Sequence, residues 1–272
     1  MKPKKVMITG VYGLIGGAVY RKMIQSSERY EVYGLARRTQ PSDRVAEADR
    51  IAVPDDRFVL SDLSDVDQLS EAFDGLDVVV HMAADPGSGG GWPSLLPNNV
   101  VGTYNILEAS RRAGVERVVL ASTIQVSSGN RREEPYCLIG SNRPGELPDD
   151  LPMVRADWPA RPLNIYAATK VWGEAIARAY SGTHGLSCLC IRIGWVVAED
   201  RPPTANAADM WCSQRDIVEL IECCVNAPES VRYDIFYGMS DNKDRWVDIE
   251  HAREKVGYVA QDRAEEHTPG DR

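Results

Sequence analysis

Basic charge is scarce in this 272-residue chain. Its 31 lysines and arginines stand against 40 aspartates and glutamates, for a net charge of −9. A surface of that sign repels phosphate backbones and anionic lipid, so neither nucleic acid nor a membrane is expected as a partner. No apolar run approaches the ~20 residues that a bilayer-spanning helix needs. Met1-Lys2-Pro3-Lys4-Lys5 is basic, but glycines and an amphipathic segment follow it, not the apolar core of a signal peptide. The six cysteines lack metal-ligand spacing. Cys188 and Cys190 alternate along a predicted strand, and Cys223 and Cys224 are adjacent on a predicted helix. No metal site is expected, and free thiols suit a reducing cytoplasm. There is no internal repeat and no low-complexity tract. The length suggests one large domain, or a domain with a small appendage, and ample core.

What the chain does have is an alternation of short apolar runs and amphipathic stretches. Val6–Thr9, Tyr30–Leu35, Phe58–Leu60, Leu76–Ala84, Val115–Ser122, Leu186–Ile191 and Asp234–Gly238 read as strands. Leu14–Ser26, Asn98–Ala113, Tyr166–Tyr180 and a segment starting near Trp211 read as helices. The run Leu76–Ala84 is apolar enough for a strand buried on both faces of a parallel sheet. The expectation is a doubly wound α/β fold. Residues 1–194 would bind a dinucleotide and carry the reacting groups, and 195–272 would form a small substrate lobe that is not an independent domain. Asp85–Pro97 is rich in glycine and proline and reads as a mobile loop. Ser127–Leu163 is long and irregular, a cover over the site or a partly disordered stretch. Its Arg131, Arg132, Arg143 and Arg155 lie among acids and read as a solvated charge run. The polar tail from Arg263 is expected to fray.

Three motifs carry chemistry. Gly10-Val11-Tyr12-Gly13-Leu14-Ile15-Gly16 sits between the first strand and the first helix. Its glycines permit a tight turn and let backbone amides approach a pyrophosphate at the helix N-terminus. The second strand runs into Ala36-Arg37-Arg38, where the adenosine ribose is expected. An acid there would accept from a free 2′-hydroxyl, whereas guanidinium forks suit a 2′-phosphate, so NADP is expected in preference to NAD. Tyr166 and Lys170 lie four apart on one helix face. A phenol titrates near pH ~10. A neighbouring ammonium should lower that value and let the phenol exchange a proton with a substrate hydroxyl.

With Ser122 and Thr123 ending a strand, these motifs resemble the short-chain dehydrogenase/reductase superfamily. Within it they look most like the extended group that holds sugar epimerases, dehydratases and uronate dehydrogenases. The resemblance implies that Thr123, with Ser122 as the fallback, holds the reacting oxygen beside Tyr166 and Lys170. It implies a cofactor cradle of Gly10, Tyr12, Gly13, Leu14, Ile15, Gly16, Arg37 and Arg38. Asp62 and Leu63 would lie at the adenine, Ala83 and Ala84 alongside the cofactor, and Asn99 and Lys170 near its nicotinamide half, with Tyr166 and Ile193 as further cofactor contacts. Asn99-Val100-Val101-Gly102-Thr103-Tyr104-Asn105 matches the family's Asn-x-x-Gly-Thr-x-Asn. Ser122, Gln125 and Arg192 are the implied substrate contacts, Arg192 on a carboxylate, and His81 reads as a packed residue. Trp92, Trp195 and Trp211 are candidates to line a more apolar pocket. The absence of an Asp-Glu pair after Thr123 argues against dehydration, and Ile124-Gln125 stands where uronate dehydrogenases have Asn-His. The expected activity is hydride transfer between a nicotinamide cofactor and a small polyhydroxy or sugar-acid substrate. The alternatives are an epimerase with retained cofactor and a non-catalytic dinucleotide sensor. A homodimer is expected through the helices at 98–113 and 166–180, with Ala168, Trp172, Ala175, Ile176 and Ala179 as the apolar stripe.

Overall fold

The computed structural model describes residues 2–87, 91–139, 148 and 150–267. Expectations for 88–90, for 140–147 (Gly140, Arg143 and Gly145 among them), for 149 and for 268–272 lie outside the described residues.

Among the described residues, seven strands form one parallel sheet. They are β1 (Lys4–Thr9), β2 (Tyr30–Ala36), β3 (Phe58–Leu60), β4 (Val78–His81), β5 (Arg117–Thr123), β6 (Ser187–Ile193) and β7 (Tyr233–Gly238), in the order β3-β2-β1-β4-β5-β6-β7. The order reverses between β1 and β4, and in such sheets ligands bind outside the carboxyl ends of the strands at that point. The helices are α1 (Leu14–Met23), α2 (Val66–Ala72), α3 (Gly91–Leu95), α4 (Gly102–Arg112), α5 (Ile165–His184), α6 (Gln214–Val225) and α7 (Glu250–Val256). Val6 and Ile8 pack with α1 and α6 on one face, while Met7 between them packs with α2, α4 and α5 on the other. A strand covered on both sides must be apolar at every position, which is why these strands read as continuous apolar runs.

The doubly wound expectation holds, with corrections at the connections. Helix α2 was not legible as a helix; it is short and starts at an N-cap, Asp65, whose carboxylate accepts from the amides of Asp67 and Gln68. Helical backbone begins at Gly91, inside the stretch expected to be a loop, and passes through a π turn over Leu96–Val101 before α4. The Ser127–Leu163 stretch is anchored where it is described. The Gly129 amide donates to the Arg161 carbonyl, the Arg161 amide donates to the Val126 carbonyl, and Val154 bridges Val247. Ile124, Tyr136 and Val154 share a third apolar cluster with Tyr237, Met239 and Trp246. Residues beyond 194 supply α6 and β7 to the main layers. No helix among the described residues is long and apolar enough to cross a membrane.

Candidate active site

The glycine turn is built by close approach. Gly10 has φ +68°, and a Cβ there would lie 2.9 Å from the backbone of Ala83. A Cβ on Gly16 would strike the carbonyl oxygen of Gly10. The Gly13 amide donates to that same oxygen at 2.8 Å. Leu14, Ile15 and Gly16 open α1, and amides of a first turn have no partner within their helix. A cavity at the switch point is walled by Gly10, Tyr12 and Gly13, by Arg37 and Arg38 at the end of β2, by Asp62 and Leu63, and by Ala83 and Ala84. These are the residues expected to cradle a dinucleotide, brought into one concavity.

Asp62 is ionised readily, because the hydroxyl and amide of Ser64 hold its carboxyl below the ordinary value. Leu63 adopts φ +71°, a left-handed conformation that costs a non-glycine residue free energy of order 1–3 kcal/mol. Asn105 holds it there, donating to the Leu63 carbonyl at 2.7 Å, and a Cβ on Gly102 would press against the Leu63 side chain at 3.2 Å. The Asn-x-x-Gly-Thr-x-Asn motif thus shapes, from behind, the end of the cavity that Asp62 and Leu63 line. Asn99 itself is buried. Its amide grips both backbone groups of Asp85, accepting from N at 2.7 Å and donating to O at 3.0 Å, and also donates to Thr169 Oγ1 at 3.2 Å. It clasps the exit of β4, and the neighbouring Asn98 is the residue that lines the cavity.

At the carboxyl end of β5, Thr123 meets α5. Asn164 caps this helix, accepting from the Ala167 amide at 2.7 Å, and its own amide donates to Gln125 Oε1 at 2.7 Å. Gln125 is therefore tied to the start of α5. The cap fixes Tyr166 in the first turn, close enough to the Thr123 hydroxyl for that group to draw the phenol's pKa down. Lys170 lies one turn on, fully withdrawn from water, and donates to the Ala121 carbonyl at 2.9 Å. Its Nζ is 5.9 Å from the Tyr166 ring centroid. The expected lowering of the tyrosine pKa is not what the geometry gives. Burial raises Tyr166 above its ordinary value, outweighing the opposing pull of Thr123 and of Arg44, a residue the sequence reading overlooked. Lys170 points beneath the ring to the strand, and burial brings its own pKa down to about 8.

Two expected substrate contacts are committed elsewhere. Arg192 is 2% exposed. It grips Glu174 with Nε and Nη2, each at 2.9 Å, and gives Nη1 to the Tyr237 hydroxyl at 3.0 Å and the Ser127 hydroxyl at 3.3 Å. Ser122 donates to Glu174 at 2.6 Å. Neither has a group facing open solvent where a carboxylate would arrive. Ile193 pairs in register with Thr123. His81 is packed, its Nδ1 at 2.8 Å from the Thr9 hydroxyl, and burial drives its pKa to about 3. Trp211 is core, whereas Trp195 and Trp92 are each 48% exposed. The Trp195 backbone is pinned just beyond β6 by the Met210 carbonyl and the Cys212 amide. Among the described residues no group of three histidine, cysteine or acidic side chains is placed to hold a metal.

A doubly wound sheet with a glycine turn at its switch point, and a threonine, tyrosine and lysine gathered at the neighbouring strand end, defines a dinucleotide-binding fold of the extended short-chain type. The chain belongs to the NAD-dependent epimerase/dehydratase family, whose model matches residues 6–212. It is 33% identical over 218 residues to an L-arabinose 1-dehydrogenase (NAD(P)(+)) of Haloferax volcanii, covering 75% of this chain and 82% of that one. It is 30% identical over 274 residues to an NAD-dependent glucose-6-phosphate dehydrogenase of the same organism, covering 97% and 95%. Among solved structures, uronate dehydrogenase from Agrobacterium tumefaciens superposes with a TM-score of 0.76 at 26% identity, over all of this chain and 92% of that one.

Proposed function

We propose that this protein is an NAD(P)-dependent dehydrogenase/reductase that moves a hydride between a carbinol carbon of a small polyhydroxy or sugar-acid substrate and a nicotinamide cofactor. The observation that carries the reading is the closeness of Thr123 to Tyr166, with a buried Lys170 one turn on, at the end of the strand next to β4, whose exit walls the dinucleotide cradle. The cradle suits the group, because Gly10 and Gly16 let the turn close against Ala83 and against itself, which leaves the first-turn amides of α1 at the edge of the cavity. The bound nicotinamide supplies the hydride acceptor or donor. The chain's own residues manage the proton. Thr123 holds the substrate oxygen, and Tyr166 takes the hydroxyl proton in oxidation or returns it in reduction. Burial keeps the Tyr166 phenol protonated in the free protein, which readies it to donate in the reductive direction. Lys170 gives one ammonium proton to the Ala121 carbonyl, and its others would hold the nicotinamide ribose.

The intact Tyr166–Lys170 pair weighs against a sensor without turnover. An epimerase with retained cofactor uses the same residues, but three relatives, two by sequence and one by structure, are dehydrogenases. Arg37 and Arg38, with no acid in the turn after β2, support NADP over NAD. Residues 195–272 act as the substrate lobe, with Trp195 on its inner rim. Exposed Val101, Tyr104 and Ile165, beside exposed Ala168, Ala175 and Ala179, support a homodimer through α4 and α5. Six free cysteines suit the cytoplasm.

The test is a panel of neutral sugars, sugar acids and simple ketones with NADP and NAD, read as reduced-cofactor absorbance. Turnover of one of the sugars or sugar acids is expected. Activity confined to apolar carbonyl compounds would overturn the substrate class.

A further inference from the structure

Tyr166, Lys170 and Glu174 follow one another at four-residue steps, so they occupy neighbouring positions along one ridge of α5. The first two are the reacting pair. Glu174 is 5% exposed, and an unpaired carboxylate at that depth would cost several kcal/mol. Its partners answer that cost and also reveal a pattern. Ser122, Arg192 and Tyr237 are register partners, one rung running across β5, β6 and β7. Glu174 accepts from Ser122 and, through two oxygens, from Arg192, which in turn donates to Tyr237. The next rung is Thr123, Ile193 and Gly238, the one that carries the hydroxyl facing Tyr166. A single carboxylate therefore clamps the helix bearing Tyr166 and Lys170 onto the sheet, one residue below the reacting rung.

We infer that Glu174 is a positioning residue for the reaction, fixing α5 on the sheet so that Tyr166 meets Thr123 and supplying the carboxylate charge that faces Lys170. This rests on the proposed oxidoreductase reading. A buried ion pair contributes little net stability beside an apolar pair of the same volume, so packing alone does not account for it. The groups facing Lys170 are few. They are Tyr166 and Glu174 on its own helix, Cys190 on β6, the Ala121 carbonyl on β5 and neutral His81 on β4. Of these, Glu174 and Cys190 oppose the lowering of the Lys170 pKa by burial. Removing the Glu174 charge therefore makes the ammonium easier to lose.

The experiment compares wild type, Glu174→Gln, the double variant Glu174→Gln/Arg192→Gln, and Arg192→Lys. The double variant leaves neither member of the Glu174–Arg192 pair charged without the other, so its melting temperature should recover relative to Glu174→Gln. Its kcat should still fall about 10–100-fold with KM little changed, as expected for a misplaced reacting group. The alkaline limb of its pH–rate profile should move to lower pH. Arg192→Lys retains the carboxylate and should keep the wild-type limb. Lys170 is also titrated directly by ¹³C NMR of the lysine side chains, assigned with Lys170→Arg. That readout needs no turnover, so a lowered Lys170 midpoint in an inactive protein would count against the oxidoreductase reading and for the clamp. A folded double variant with wild-type kcat and an unmoved Lys170 midpoint would overturn the inference.

Discussion

Replacing Arg37 and Arg38 together by alanine tests the cofactor preference most directly. Both side chains follow the last residue of β2 and wall the cavity. Arg37 has a partner in Asn98 Oδ1 at 3.5 Å, the outer limit of a hydrogen bond, so little is lost when it turns to a ligand. A charge-assisted hydrogen bond contributes about 1.5–3 kcal/mol when shielded. Exposed ion pairs contribute only about 0–1 kcal/mol, and both arginines are exposed. The pair together is therefore worth about 1–3 kcal/mol, or roughly 5–150-fold in the ratio of NAD to NADP dissociation constants. Calorimetric titration of each cofactor should show that ratio collapse towards unity in the double variant, with single variants between. Salt should shrink it in the wild type, since the screening length falls from ~10 Å at 0.1 M to ~3 Å at 1 M. Equal affinity of the wild type for the two cofactors, or a ratio that survives loss of both arginines, would refute the reasoning.

Tyr166→Phe should abolish turnover, a loss of about 10²–10⁴-fold for a proton-transfer group, while the cofactor dissociation constant stays nearly unchanged; retention of most activity removes the tyrosine from the mechanism. Lys170→Met should raise stability at pH 7 by about 1–3 kcal/mol while destroying activity, since burial depresses a pKa that the unfolded chain restores. The sign follows from linkage. Between pH 8 and 10.5 the unfolded chain binds more protons than the folded one, so the wild type gains stability as pH rises through that window, and the methionine variant should lack that gain in denaturant titrations. Light scattering at micromolar concentration should give the mass of two chains, and Ile165→Asp should reduce it to one; a wild-type mass near one chain would dismiss the α4–α5 interface.

Much of this site was legible because its signals are local. The glycine turn is spelled in seven consecutive residues, and Tyr166 and Lys170 lie one helical turn apart. The parallel sheet followed from apolar runs, since a strand covered on both faces leaves no polar alternation to confuse the reading. Helix α2 was missed because only Leu69 in it is buried, leaving no apolar stripe to count, and Asp65 is an easily overlooked cap. The Asn99 motif was visible, but its work was not. That Asn105 holds Leu63 in a left-handed turn depends on a contact 42 residues away in sequence. The Tyr166 pKa was misjudged for a similar reason. Helical spacing puts an ammonium beside the phenol, but only the fold shows that Lys170 reaches down to Ala121 and that burial dominates.

Arg192 shows most clearly how a motif and its role separate. Arg192-Ile193-Gly194 matches the sugar-acid branch as a string, and a carboxylate partner was a sound expectation. The carboxylate it meets is the protein's own. Glu174 lies 18 residues earlier, on a helix that crosses back over the strand, so no spacing rule could have paired them. With every donor of the network engaged beneath the sheet end, a substrate anion must find its cation elsewhere. Arg44, whose charge draws the Tyr166 pKa down, is one such cation, and Arg37 and Arg38 wall the neighbouring cavity. The Ser42 amide donates to the Tyr12 carbonyl at 2.8 Å and holds that segment against the turn. Just beyond β6, Trp195 offers a half-exposed indole on a backbone fixed at both sides, an aromatic face able to meet the C–H face of a sugar ring.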